Sequence, residues 1–470
     1  MDRAILVIPL LVIAAGCKKD GDAPGPAKEP AKVSATVSAA CGTAKQEGPI
    51  AWIEDDYASA LACAKEKNLP LVLDLWAPWC HTCLSMKSTV FMDGSFELDA
   101  DKFVFAALDT DREDSAPVVA KFPLSAWPTF YVIDHDETVL ARWVGSASTP
   151  QFHAFLDAGI AARAGAEGAG KRLLEAERAL AAKNYGAAEK ALMLALAEAP
   201  ADWVRRPDAL VSLLSTISRQ HDDPRCVEVA IENMEKTGSS ASAADFASLA
   251  LSCAGSPKVD ATRVGVLRAL AIKRLEGLLA QADAHLSVDD RSDAMVILRE
   301  VYEAIGKQDE AKALAEKQRA LIDDAAQKAT SPLAAMTFNW QRAEVYVYLG
   351  RPLDIVPALE KSAADLPGEY DPRARLGWVY LKAKKLPEAA KWTDEALKLV
   401  YGPRKGRVIA QRAEIAKEMG DVAGERRFRT EAVALWESLP PAQQSADALA
   451  KAKDALAKLD AAPTPAPSTN

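Results

Sequence analysis

The run Leu71-Val72-Leu73-Asp74-Leu75, followed by Trp76-Ala77-Pro78-Trp79 and then Cys80-His81-Thr82-Cys83, constrains this chain more than any other stretch. The apolar run reads as a buried strand, and the two thiols three positions apart open a helix. Such a pair can trade between dithiol and disulfide. Free N–H groups and the dipole at a helix start favour a thiolate at Cys80. A structural zinc site needs about four ligands. No second close Cys or His pair is available to complete one, and His135 and His153 stand alone, so no metal is expected.

The elements around the motif follow from period and punctuation. Ile50 to Ile53 reads as a short strand. Glu54 to Asn68 has helical spacing through Tyr57, Ala60, Leu61 and Ala64, and Pro70 ends it. After the strand Leu71 to Ala77 and the helix near Cys80 come a strand Phe103 to Leu108 and a short helix Val118 to Phe122. Trp127-Pro128-Thr129 leads into a strand Phe130 to Ile133, then a turn, a strand Val139 to Val144 and a helix from Pro150 to about Ala164. The order is βαβαβ followed by ββα, enough for one domain over residues 48–165.

This stretch resembles thioredoxin. The resemblance rests on Trp76-Ala77-Pro78-Trp79-Cys80, on Asp74 at the place of the family's buried carboxylate, on Pro128 at the place of its cis-proline and on Gly145 after the last strand. Met86 and Phe91-Met92-Asp93 look more like the exported thioredoxin-like branch. The resemblance implies that Cys80 attacks a substrate disulfide, that Cys83 resolves the mixed disulfide, and that Asp74 moves a proton to or from Cys83. On a buried strand Asp74 is desolvated, which raises its pKa. The resemblance also implies a cis Trp127–Pro128 bond, with Trp127 offering backbone hydrogen bonds to an extended substrate. Trp79, His81 and Thr82 would complete the docking surface, with Trp79 exposed and Trp76 in the core. No diffusible cofactor is implied. Two departures stand out. His81-Thr82 replaces Gly-Pro. A cationic His81 would stabilise the Cys80 thiolate and make the couple more oxidising; the alternative is a ring facing solvent. The lysine that pairs with the buried carboxylate in many thioredoxins is absent, and Ala107 takes its place.

Met1-Asp2-Arg3, the apolar stretch Ala4 to Ala15 and the small residues before Cys17 read as an export signal too short to span a bilayer. They resemble the lipobox of bacterial lipoproteins, with residues 1–17 the signal and Cys17 the lipidated residue. Ala14 departs from the favoured Leu. Residues 18–47, rich in Ala, Lys, Pro, Gly and Ser, read as a disordered tether. The expected location is the bacterial envelope, lipid-anchored and facing the periplasm, with no other membrane contact. Six cysteines remain after Cys17. In an exported chain an even number invites pairing. The domain layout favours Cys41–Cys63, Cys80–Cys83 and Cys226–Cys253, against buried free thiols at the first and last pairs.

From residue 166 to 460 the chain is rich in Ala, Leu, Glu, Lys and Arg with helical period. Tyr346 and Tyr380 lie 34 residues apart, each followed by small residues at similar offsets. Ala176, Ala179, Ala188 and Ala195 repeat those offsets, as do Leu298, Tyr302, Gly306 and Ala311. The spacing resembles the tetratricopeptide repeat. The match is good at 343–367 and 371–403, fair at 173–200 and 294–323, and poor at 201–290. Trp340, Trp378 and Trp392 fit helix seams. The fold class is therefore an α/β thioredoxin fold followed by an all-α helical-repeat (TPR-like) solenoid. The solenoid reads either as a surface for protein or peptide or as a spacer or dimerisation arm. The tail 461–470 reads as disordered.

A net charge of −9 with scattered basic residues excludes a nucleic-acid partner. The expected function is an envelope-anchored thiol–disulfide oxidoreductase acting on protein disulfides or dithiols, served by a redox donor or acceptor protein. The rivals are a binding scaffold whose first domain is a recognition module, and a holdase chaperone.

Overall fold

A computed structural model describes residues 41–461. The signal, Cys17, most of the tether and the tail from residue 462 lie outside the described residues. The first domain is built on β1 (Lys45–Glu47), β2 (Ile50–Glu54), α1 (Tyr57–Lys67), β3 (Leu71–Trp76), α2 (His81–Ser88), β4 (Val104–Asp109), α3 (Ala116–Lys121), β5 (Thr129–Ile133), β6 (Val139–Val144) and α4 (Thr149–Ala164). The strands form one sheet in the order β1-β2-β4-β3-β5-β6. The inner strands β2, β4 and β3 run parallel, β5 pairs antiparallel with β3, and β6 pairs antiparallel with β5.

Strand alternation splits the core into two faces. Val72, Phe105, Phe130, Val132 and Trp143 meet Met86 of α2 and Phe152, Phe155 and Leu156 of α4. Leu71, Leu73, Leu75, Ala106 and Tyr131 meet Ala60 and Cys63 of α1 and Val118 of α3. Asp74 shares the parity of Val72, so it points under α2. The tether ends earlier than expected. Lys45–Glu47 is a strand, paired antiparallel with Glu47 opposite Ile50, and Cys41 is bridged to Cys63 of α1. A three-residue polar strand is too short to show a period. The free-thiol alternative is corrected for this pair and equally for Cys226 and Cys253.

The rest is helical. The hairpins are α5 (Gly168–Ala181) with α6 (Tyr185–Glu198), α7 (Arg206–Arg219) with α8 (Asp223–Asn233), α9 (Ala241–Ala254) with α10 (Ala261–Ala280), and α11 (Val288–Ala304) with α12 (Gln308–Lys328). After a short α13 (Pro332–Met336) come α14 (Asn339–Tyr348) with α15 (Val356–Asp365), α16 (Asp371–Lys382) with α17 (Leu386–Leu397), α18 (Gly402–Glu418) with α19 (Val422–Ser438), and α20 (Ala446–Ala461). Buried alanines, including Ala176, Ala188, Ala343, Ala389 and Ala413, allow close helix approach at the crossings. Trp340 and Trp378 pack with ring centroids 5.2 Å apart in a seam. The stretch 201–290 also forms hairpins. Its seams are filled by Leu210, Leu214, Phe246, Leu267 and Leu275, which explains the faint repeat signature.

The array is not separate from the first domain. It packs along the first domain, and the described residues 41–461 fall in one compact unit. Glu177 of α5 accepts from the Arg142 amide of β6 at 3.0 Å, and Arg205 donates to Glu177 at 3.0 Å and to the Arg142 carbonyl at 3.1 Å. All three residues are buried. Further along, Gln151 of α4 donates to Ser242 of α9, and Gln443 donates to the carbonyls of Thr110 and Arg112. Among the described residues, no helix is long and apolar enough to cross a membrane.

Candidate active site

Cys80 caps α2. Its sulfur accepts from the Cys83 amide at 3.1 Å, and the two cysteines are joined as a disulfide. Both are buried, at 4% and 2% exposed. Ala77, Trp79 and Trp127 pack around them. The Trp127–Pro128 bond is cis, as the resemblance implies. Trp127 Nε1 donates to Thr110 Oγ1 at 2.7 Å, and Thr110 in turn donates to the Trp76 carbonyl at 3.0 Å. The proline loop and the strand that carries the motif are thus tied together.

Asp74 lies beneath at 1% exposed, with Oδ1 lacking a hydrogen-bond partner among the described residues. Burial pushes its carboxyl up to about 7, with the Lys87 charge opposing. Ala107 stands opposite Asp74 on β4, so the place of the missing lysine is apolar. Lys87 of α2 supplies the cation instead, stacked 3.8 Å above the Trp76 ring. The sequence held a signal for this. Lys87 follows Cys83 by four residues, so both lie on one helix face.

Two expectations about the motif are corrected. Trp79 is not an exposed docking residue. Its ring is half-buried against Tyr370 and Val400 of the array, under the Arg404 guanidinium at 4.5 Å, and its Nε1 donates to Asp111 at 2.8 Å. Burial and nearby Asp109 push the Asp111 carboxyl up to about 7, against the Trp79 hydrogen bond and the Arg404 and Arg407 charges. Nor does His81 face open solvent. Its Nδ1 lies 2.9 and 3.0 Å from the two oxygens of Asp289 on α11, which is 1% exposed. His81, Asp289 and Asp293 bring three donor atoms within 4.8 Å of one another; Nδ1 is engaged in the hydrogen bond to Asp289. Asp289, Asp293, Arg404 and Tyr401, whose hydroxyl donates to Asp109, lie two to three hundred residues from the motif. Nothing local in the sequence marks them.

Two cavities open beside the motif, between the first domain and the array. One of about 880 Å³ is lined by Trp79, Asp111, Arg404 and Arg407. The other, of about 520 Å³, is lined by Thr82, Asp245, Asp290 and Asp293. They share Pro123, Leu124, Trp127, Lys183, Tyr185 and Arg219, so they meet at the proline loop.

Residues 52–134 match the family described as thioredoxin-like. The chain carries a thioredoxin-like domain. The match spans β2 to β5 and includes the motif, Asp74 and Pro128. Beyond the thioredoxin-like domain the chain is an array of helix hairpins. Comparison with curated proteins finds no match. Among solved structures, MamA AMB-1 is 25% identical over 36% of this chain and 90% of its own, with a TM-score of 0.25. BtubC (BKLC) from P. vanneervenii is 11% identical over 64% and 94%, with a TM-score of 0.19. The APC/C hetero-tetramer Cut9-Hcn1 is 12% identical over 62% and 72%, with a TM-score of 0.18. Overlaps this low carry no part of the functional reading.

Proposed function

We propose that this chain is a thiol–disulfide oxidoreductase acting on cysteine-containing polypeptides. The carrying observation is the stack at the end of β3: two sulfurs at the start of α2, the Trp127–Pro128 loop beside them, and a desolvated carboxyl beneath. In the reducing direction the Cys80 thiolate attacks a substrate disulfide. The substrate S–S bond breaks, a Cys80–substrate bond forms, and one substrate sulfur leaves as thiolate. Cys83 then gives its proton to Asp74 and attacks Cys80. The internal disulfide forms, and the second substrate sulfur leaves with the electron pair. The oxidising direction is the reverse, and a partner protein of opposite redox state resets the pair.

The array walls the motif, which favours an extended segment over a folded surface as the client. The meeting cavities at Trp127 suit such a segment. Asp245, Asp290 and Asp293 at one end favour basic residues, and Arg404 and Arg407 at the other favour acidic ones. The envelope location rests on the signal-like start and Cys17, and the Cys41–Cys63 and Cys226–Cys253 bridges fit an oxidising compartment.

Insulin reduction by the full chain tests the reading. Turnover is expected to vanish in Cys80→Ser, and Cys83→Ala is expected to accumulate a mixed disulfide with client. Equal turnover in wild type and Cys80→Ser would leave the domain as a recognition module.

A further inference from the structure

His81 is the first residue of α2, next to Cys80 in the chain and at the same helix start. Its partner comes from the array. Asp289 sits in the first turn of α11, where Ser287 and Asp290 form a capping box: the Asp290 amide donates to Ser287 Oγ at 3.1 Å and the Ser287 amide donates to Asp290 Oδ2 at 2.9 Å. Ser85 of α2 donates to Ser287 at 3.2 Å, fixing the start of α11 against α2. Asp289 is thereby placed with both carboxylate oxygens on His81 Nδ1. Among the described residues, His81 is the cation within 4.0 Å of Asp289. The other charged groups facing the ring are Asp293 of α11, at 4.0 Å and held by Gln341 at 2.8 Å, and Arg375 of α16.

A buried carboxylate with one partner favours that partner's charged form. Burial drives the His81 ring toward neutrality, but Asp289 and Asp293 outweigh it, and the ring is pushed up to about 10. The imidazolium is carried by the residue next to Cys80 at the same helix start, and the carboxylates are carried by α11. A cation held at that helix start favours thiolate over thiol.

We propose that Asp289 is a positioning residue: it holds His81 as an imidazolium against the start of the redox helix and so sets the thiolate fraction of Cys80 and the reduction potential of the Cys80–Cys83 couple. The inference rests on the redox reading above. It makes the helical array part of the redox centre, since moving α11 away from α2 would change the potential without touching either sulfur.

The test uses the oxidised and reduced full chain. Two readouts are taken, the equilibrium with glutathione buffers and the pH titration of far-ultraviolet thiolate absorbance. In Asp289→Asn the Cys80 titration is expected to move up by about one pH unit. The disulfide form should gain about tenfold in the glutathione equilibrium, or roughly 30 mV toward reducing values. His81→Gln should do the same, the double variant should do no more than either, and Asp289→Glu should restore the wild-type potential. A role confined to docking would lower the thermal midpoint and leave both readouts unmoved, which overturns the proposal. An Asp289→Asn effect that persists in full on the His81→Gln background also overturns it. If Asp289→Asn does not fold, His81→Gln against His81→Lys decides. The fixed cation should keep the wild-type potential and the neutral side chain should lose it; equal potentials in the two end the proposal. Failure of insulin turnover with these shifts intact would count against the protein-client reading alone.

Discussion

Asp74 is the residue where burial and chemistry conflict. A carboxyl with a folded-state pKa near 7, against an ordinary value of 3.8, binds its proton more tightly in the folded chain than in the unfolded one. The cost to stability is absent below about pH 3.8, grows as pH rises toward 7, and is full above it. Asp74→Asn is therefore expected to raise the thermal midpoint at pH 8 and leave it unchanged near pH 3. The same substitution should slow resolution of the mixed disulfide about 100-fold, the usual scale for a lost general acid–base group. Stopped-flow tryptophan fluorescence and calorimetry at the two pH values check this. A slower reaction without the alkaline gain in stability would contradict the buried-acid account. Lys87 opposes the rise, so Lys87→Met should move the acid limb of the resolution rate, below which Asp74 is protonated and cannot take the Cys83 proton, further up in pH.

At the scale of elements, the poorly patterned segment 201–290 is held by covalent as well as apolar contacts. Cys226 of α8 and Cys253 of α9 are both buried and close a loop of 27 residues. A loop of this length gives about 3 kcal/mol of stabilisation when closed. The Cys226→Ala/Cys253→Ala pair should lose about that much in denaturant unfolding while keeping the potential of the Cys80–Cys83 couple. A changed potential would show that α8 and α9 couple to α11 and α2 more tightly than the hairpin arrangement implies. The β1–β2 hairpin has a parallel staple in Cys41–Cys63, which fastens the entry of the chain onto α1.

For the whole molecule, the decisive contact is closure of the array onto the motif end of the thioredoxin-like domain. Gly402 opens α18 with a φ of +55° and packs on the Asp111 carbonyl. A Cβ there would overlap that carbonyl, and the backbone conformation disfavours any side chain. Gly402→Ala should push α18 off the domain. The expected signs are faster limited proteolysis near residue 400, altered Trp79 fluorescence and a lower thermal midpoint. An unchanged cleavage pattern would mean that Tyr401–Asp109 and Gln443 hold the closure without Gly402.

The chain's local chemistry was enough to place the strand-motif-helix unit and the helix hairpins at 343–367 and 371–403, which depend on strand alternation, helix period and small residues at crossings. Asp74 and Pro128 were placed by the resemblance to thioredoxin, and the outer cysteine pairings stayed open against free thiols. The strand Lys45–Glu47 was not legible, because three polar residues gain their structure only from a neighbouring strand. What tertiary structure alone decided is which charges surround the sulfurs. Asp289, Arg404 and Tyr401 reach the motif because the array curves back onto the domain. Contacts between residues two to three hundred positions apart leave no local period, since they arise from the summed geometry of every hairpin between them.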